Sequence, residues 1–260
     1  MPMNRFLPQE PSSKLLRTIR KADIRTEYDP EKHRLTLLNE AGQEPLYFRL
    51  PLTLPFPYAT QATESIHYVI LLIQSGNCAL GYFENGRCLN HKVFRSYMVR
   101  KKQGKSQIKY LKTKGKSRAG SRVRLGETME FFENINERLQ AYFKAHEVHR
   151  IAISCSKTLI PYLYSSKVAT PFDKQDPRLF RIPKHIHTPI YEVLLDANRF
   201  LQRGELIYEE QQQELVDRLL ADAGLSGVAD EGDANEATAW ADELDEAYFE
   251  EEEDDPGEWD

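Results

Sequence analysis

Residues 67–98, HYVILLIQSGNCALGYFENGRCLNHKVFRSYM, contain three runs rich in β-branched, aromatic and aliphatic side chains: His67–Gln74, Cys78–Glu84 and Arg87–Met98. Ser75-Gly76-Asn77 separates the first two runs and Asn85-Gly86 the last two. Asn-Gly between two such runs is a strong hairpin signal, because both residues tolerate the positive φ that a tight two-residue turn requires. The stretch therefore predicts a β-meander, and the rest of the chain is read outward from it.

On the N-terminal side, Arg34–Leu38 and Leu46–Leu50 read as a strand pair around the turn Asn39–Glu44. Ser13–Lys21 reads as a short basic helix. Pro51, Pro55 and Pro57 lack the N–H a central ladder needs, so they mark a connection. On the C-terminal side, Phe132, Ile135, Leu139 and Phe143 recur at three- and four-residue spacing and predict an amphipathic helix over 128–146. Arg150–Cys155 is a buried-strand candidate, followed by a short helix over Lys157–Tyr164. Thr188 is placed as an N-cap, Pro189 as the first helical residue, and Gly204 as the end of a helix striped by Ile190, Val193, Leu194, Ala197 and Leu201. Glu205–Glu209 reads as a final strand. Gln211–Ala223 reads as a last helix, with Leu215, Leu219 and Leu220 on one side and Gly224 at its end. This order predicts one α/β domain over residues 1–226, its strands in a single mixed sheet flanked by helices.

The 260 residues carry a formal charge of -5, which conceals two unlike parts. Residues 230–260 hold sixteen Asp and Glu and no Lys or Arg, which leaves 35 basic against 24 acidic residues in 1–229, a charge of +11. From Gly227 onward small and acidic residues dominate without helical period, so 227–260 is expected to be a disordered acidic tail. No apolar run approaches the ~20 residues of a membrane span. The N-terminal MPMNRFLPQEPSSK lacks a signal peptide's apolar segment. Cys78, Cys88 and Cys155 have no zinc-ligand spacing and read as reduced thiols of a cytoplasmic protein.

The peak of the basic body follows the meander directly. Val99–Arg124, VRKKQGKSQIKYLKTKGKSRAGSRVR, has eleven Lys and Arg and no acid; with Lys92 and Arg95 the count is thirteen. Most charge runs are simply solvated. This one is read as a loop of about twenty residues, longer than most connections in a compact domain, and such loops are usually functional or disordered. Neutralising phosphates is the obvious use of so many cations. Gly104, Gly115 and Gly120 punctuate it, permitting close backbone approaches that a plain basic tail would not need. Gln103 and Gln107 are uncharged polar residues near its start. A glutamine amide cannot act as a base, but it can orient a water or hydroxyl at a reactive ester or phosphate.

Other chemistries lack their residues. His185-Ile-His187 could form half a metal site, yet no third ligand presents itself. His146 and His149 read as favourable charges at a helix C-terminus. Asp173, Asp176 and Asp196 do not make the converging carboxylate set of a metal nuclease. There is no P-loop and no dinucleotide fingerprint, and neither Ser154 nor Cys155 sits in a nucleophile elbow. No metal or cofactor is expected.

Val99-Arg-Lys-Lys-Gln-Gly-Lys-Ser-Gln107, followed by Lys114-Gly-Lys-Ser-Arg-Ala-Gly-Ser121 and a helix, resembles the release-factor-like domain of the Vms/ANKZF-type tRNA hydrolases. These belong to the superfamily of eukaryotic and archaeal peptide release factors. The resemblance spans about residues 65–210 and includes Arg181-Ile-Pro183 before the Thr188-Pro189 helix. It implies a mixed sheet of the ribonuclease-H-like type and a ribosome-associated enzyme, a peptidyl-tRNA hydrolase or a metal-independent tRNA endonuclease. Gly104–Gln107 would match the release factors' Gly-Gly-Gln loop, with Gln107 as the catalytic glutamine and Gly104 giving the loop its freedom. The implied partners are the large ribosomal subunit and peptidyl-tRNA, with Arg100, Lys101, Lys102 and Lys105 on the tRNA acceptor end. Lys109, Arg118, Arg122 and Arg124 complete the expected RNA-binding set.

Lys105 stands where eukaryotic members tend to have a second glycine, and Arg122-Val-Arg-Leu-Gly replaces their arginine-pair-and-tyrosine pattern. No zinc finger or ankyrin repeat is visible, so a stand-alone bacterial version is expected. Two other classes remain open at this point. One is a non-catalytic RNA- or ribosome-binding protein that uses the basic loop for docking only; the other is an interaction module working through its tail. The tail itself, with Trp240, Tyr248, Phe249 and Trp259 among its acids, is expected to shield the basic loop, to bind a basic partner, or simply to keep the chain soluble.

Overall fold

The computed structural model describes residues 2–22, 24–38, 46–54, 65–96 and 117–227. Among the described residues ten strands form two five-stranded sheets, so the α/β class holds while the expected single sheet divides. In the first sheet, β1 (Met3–Leu7), β10 (Gly204–Tyr208), β4 (Leu46–Arg49), β3 (Arg34–Leu37) and β2 (Thr26–Asp29) follow one another in that order, every pair antiparallel. The second sheet runs β7 (Arg87–Arg95), β6 (Asn77–Glu84), β5 (His67–Gln74), β8 (Arg150–Cys155) and β9 (Leu179–Arg181). Its meander is antiparallel, whereas β8 lies parallel to β5 and to β9. A parallel neighbour requires a crossover, and α2 (Ser117–Ala145) supplies it.

The central β5 explains its own composition. Tyr68, Ile70 and Leu72 face a core shared with α4 (Tyr191–Leu201) and with Phe6 of β1, while Val69, Leu71 and Ile73 face Phe132, Ile135 and Leu139 of α2. A strand buried on both faces needs a continuous apolar run, not an alternating one. A third core lies under the first sheet, where Leu15 and Ile19 of α1 (Gln9–Lys21) meet Val216 and Leu219 of α5 (Gln213–Asp222) across Leu35, Phe48 and Leu206. The expected hairpin turn is present: Asn85 and Gly86 have φ of 48° and 87°. Asn198 Nδ2 donates to the Gly86 carbonyl at 2.8 Å, and Tyr68 Oη donates to Asn198 Oδ1 at 2.6 Å, so α4 is pinned to that turn.

Several boundaries move for identifiable reasons. β1 and β9 are short strands whose partners lie far away in sequence, and β2 is a four-residue strand that forms a hairpin with β3; no local period announces any of them. The expected N-cap at Thr188 is displaced. Ile190 is the extended residue before α4 and makes no side-chain cap, and Leu194 N–H donates the first helical bond to its carbonyl at 3.0 Å. Gly204 does not end α4; Gln202 does, and Gly204 opens β10. Its lack of a side chain serves packing instead: a Cβ there would lie 2.3 Å from Ser12 Oγ of α1. The short helix after β8 contracts to α3 (Ile160–Tyr164), and a 3₁₀ turn over Glu210–Gln212 precedes α5. The predicted Asn39–Glu44 turn and the acidic tail lie outside the described residues. All three thiols are free.

The two sheets are joined by a buried polar knot. His33, at φ 47° and 1% exposed, uses Nε2 to donate to the Pro51 carbonyl at 3.2 Å. Its Nδ1 then accepts from Tyr28 Oη at 2.7 Å and from Arg150 Nη1 at 2.9 Å. Arg150 Nη2 donates to the Leu54 carbonyl at 2.8 Å. Burial, reinforced by the neighbouring guanidinium, holds the imidazole pKa well below its ordinary value of 6.5. The unfolded chain takes up this proton near pH 6.5 while the folded chain does not. Stability is therefore full above that pH and falls as the pH drops below it, by up to ~1.4 kcal/mol per pH unit. Urea midpoints at pH 7.5 and 5.5 are expected to fall more for wild type than for His33→Asn, a residue that accepts the same positive φ. Equal losses in both proteins would remove His33 as the source.

Candidate nucleic-acid interface at the loop mouth

The basic segment leaves the second sheet at Ser96 and returns at Ser117, the first residue of α2. Ser96 N–H donates to the Gly76 carbonyl in the β5–β6 turn at 2.8 Å, and its Oγ donates to the Glu127 carbonyl of α2 at 3.3 Å. This fixes where the segment is rooted. Gly76 follows the C-terminal end of β5, and Ile73 of β5 pairs with Cys155 at the C-terminal end of the parallel β8. Ligands of α/β sheets bind at the carboxyl ends of parallel strands, and Ser96, the last described residue before the basic segment, lies at that edge.

Other groups gather there. Gln74 Nε2 donates to the Ile186 carbonyl at 2.7 Å, which seats the His185–His187 segment on the same edge. The two imidazoles are exposed, perpendicular and 4.5 Å apart. Among the described residues no three His, Cys, Asp or Glu side chains gather as a metal site. Burial pushes the Cys155 thiol up to about 12, far from a reactive thiolate. Lys92 and Arg95 on β7 are exposed, and among the described residues neither makes an ion pair. β7 as a whole has no acidic residue.

Of the expected RNA-binding set, Arg118, Arg122 and Arg124 belong to the opening turns of α2 and not to a loop. The helix starts eleven residues before the expected residue 128, and its 29 residues measure about 43 Å at 1.5 Å per residue. Ser96 meets α2 at Glu127, so the ten residues 117–126, about 15 Å of helix, run on from the sheet toward the basic segment. Once Phe131, Phe132 and Ile135 anchor the packed part, propagation adds residues at little cost even where no apolar face exists. Arg100, Lys101, Lys102, Gly104, Lys105, Gln107 and Lys109 lie outside the described residues.

At the opposite edge lies a cluster of histidines. His149 Nδ1 accepts the His67 backbone N–H at 3.0 Å. His146 stacks on Tyr82 with ring centroids 4.3 Å apart. Sequence reading missed a second ring pair, near the loop: His91 of β7 stacks on Tyr191 at the start of α4, centroids 3.9 Å apart. The two residues are one hundred positions apart in sequence, and no pattern within either segment points to the other.

Among the described residues no helix is long and apolar enough to cross a membrane. No curated protein sequence matches the chain. One solved structure, described as the "Vms1 mitochondrial localization core", is similar over 66% of this chain and 74% of that one, with 11% identity and a TM-score of 0.39. The profile of the family described as "Bacteroidetes VLRF1 release factor" matches residues 68–209, from β5 to the residue after β10. That match takes in the whole second sheet, the basic segment and α4, more than half of the chain. The chain belongs to the Bacteroidetes VLRF1 release factor family, a bacterial release-factor domain with a role in translation.

Proposed function

We propose that the protein is a rescue factor that frees stalled nascent chains from ribosome-bound peptidyl-tRNA through its Gly104–Gln107 segment. The observation that carries this reading is the basic segment itself. In a release-factor family member, residues 97–116 hold eight Lys and Arg and no acid, and they spring from the carboxyl edge of the parallel strands. Arg100, Lys101, Lys102 and Lys105 hold the phosphates of the acceptor end, and Gln107 orients the attacking oxygen by hydrogen bonding, without accepting its proton as a base.

Two bonds are within reach of that chemistry. In ester hydrolysis, water attacks the peptidyl carbonyl, the bond to the ribose oxygen breaks, and that oxygen takes the proton. In tRNA cleavage, a ribose 2′-hydroxyl attacks the adjacent phosphorus. The bond to the 5′ oxygen of the next nucleotide breaks, leaving a cyclic phosphate and a 5′-hydroxyl. The test incubates purified stalled ribosome–nascent-chain complexes with the full chain and maps the 3′ end of the tRNA product. An intact CCA end assigns ester hydrolysis; a shortened cyclic-phosphate end assigns cleavage. Absence of chain release overturns the proposal. Lys105, in place of the second loop glycine, favours a second reading in which the segment only docks on ribosomal RNA.

The proposed organisation is a basic unit over residues 1–226 working in the cytoplasm, with the acidic 227–260 lying over its basic face until RNA displaces it. Sixteen carboxylates against a body of +11 supply the attraction. A chain ending at Gly227 is expected to bind RNA roughly tenfold tighter than the full chain at 50 mM salt and about equally at 300 mM, where exposed charges are screened. Equal affinity at both salts in a fluorescence titration removes the shielding role.

A further inference from the structure

We infer that the His91–Tyr191 ring pair and Arg95 form a stacking platform for an unpaired base of the tRNA acceptor end, beside the mouth of the basic segment. This rests on the reading that the segment works at that end. The platform follows from strand geometry. His91 lies opposite Gly81 of β6, and successive odd positions of β7 share a face, so His91, Val93 and Arg95 form a row on the side where α4 packs. Gly81 makes room for this: a Cβ there would stand 2.9 Å from Leu194 Cδ2 of α4. The start of α4, Ile190 to Glu192, forms the other wall of an open groove with Val93 and Arg95.

The groove has the components that bind single-stranded RNA: a basic rim and an aromatic face on which any base can stack. Tyr191 lines the groove half-buried with its ring stacked on His91, and His91 is exposed beside it, so the pair offers ring surface to a third ring. Val93 and Ile190 give an apolar floor. Arg95, four residues from His91 along the same row and roughly 13 Å away, is placed for a phosphate nearer the basic segment. Glu192 lines the opposite wall and repels phosphate, so the RNA backbone runs along β7 and not along α4. His91 is five residues from Ser96, roughly 16 Å of extended strand. An acceptor end whose terminal bond lies in the basic segment therefore passes the platform with its preceding nucleotides.

The test measures binding of the full chain to a 5′-labelled RNA hairpin with a single-stranded 3′ CCA overhang. The comparison RNA is the same hairpin with abasic riboses in the overhang. His91→Ala is expected to weaken binding of the CCA hairpin roughly 5- to 100-fold, the range of one lost stacking contact, and to leave the abasic hairpin unaffected. His91→Phe, which keeps a ring, is expected to restore binding. Arg95→Gln is expected to weaken both RNAs and to lower the salt dependence by about one phosphate contact. A His91→Ala loss that is equal for both RNAs, or absent from both, overturns the platform while leaving the acceptor-end reading in place. If wild type binds neither hairpin, that reading falls and the platform falls with it.

Discussion

Replacing Gln107 by alanine is expected to slow nascent-chain release from stalled ribosomes by at least about a hundredfold while leaving ribosome binding nearly unchanged. Removing one preorganised hydrogen-bonding group that serves only the transition state typically costs 10²–10³ in rate. Holding the attacking oxygen in line contributes on a similar scale. Binding should survive because the cations that dominate affinity, Lys101 and Lys102 among them, are untouched. The docking-only reading predicts the reverse pattern, with Gln107→Ala silent and the paired Lys101→Ala, Lys102→Ala change weakening binding and flattening its salt dependence. Release rates and ribosome co-sedimentation of the same variants separate the two. Equal release by wild type and Gln107→Ala removes the glutamine from the chemistry.

The largest effect on stability is expected from a single substitution at the Arg49–Glu205 pair. The two residues oppose each other on β4 and β10, and Arg49 Nε donates to Glu205 Oε2 at 2.8 Å. Both are buried, 3% and 6% exposed, and Asn4 Nδ2 adds a bond to Glu205 Oε1 at 3.1 Å. The arginine is committed to this partner: Arg34 is its neighbour on β3, Phe200 lies under the guanidinium at 4.3 Å, and Nη1 and Nη2 have no hydrogen bond among the described residues. Glu205→Ala therefore strands a buried cation and is expected to cost ~3–5 kcal/mol in urea unfolding. That is a large share of the ~5–15 kcal/mol that holds a typical domain folded. The double change Arg49→Met, Glu205→Leu keeps the volume, removes both charges and is expected to be near neutral. A Glu205→Ala cost below about 1 kcal/mol, or a double variant as unstable as the single, would show that the pair is not what matters at this junction.

What was legible in the sequence is what short-range physics encodes. The Asn85-Gly86 turn, the two-sided apolar run of β5 and the 132–143 stripe of α2 report their conformations through neighbours a few residues away. The basic segment stands out as a charge sum, and the family shows in the residues that segment carries. Two misplacements have one cause. Gly204 reads as a helix stop and Thr188 as a cap because glycine and threonine commonly play those parts. Which part each plays here depends on Ser12 pressing against Gly204 and on where α4 docks over Gly81.

By itself, then, the sequence determined the meander, the crossover helix, the basic segment with Gly104 and Gln107, and the opposition of basic body to acidic tail. Each of these resides in a local period, a turn dipeptide or a charge sum. Only the tertiary structure decided that the strands divide into two sheets and that His33 and Arg150 join them across 117 residues. It also decided that the mouth of the segment lies on the carboxyl edge of β5 and β8, and that His91 meets Tyr191 beside it. Strand partners are chosen by which edges and faces remain unpaired once the cores close. That choice sums contacts between residues far apart in the chain, so no single segment carries it.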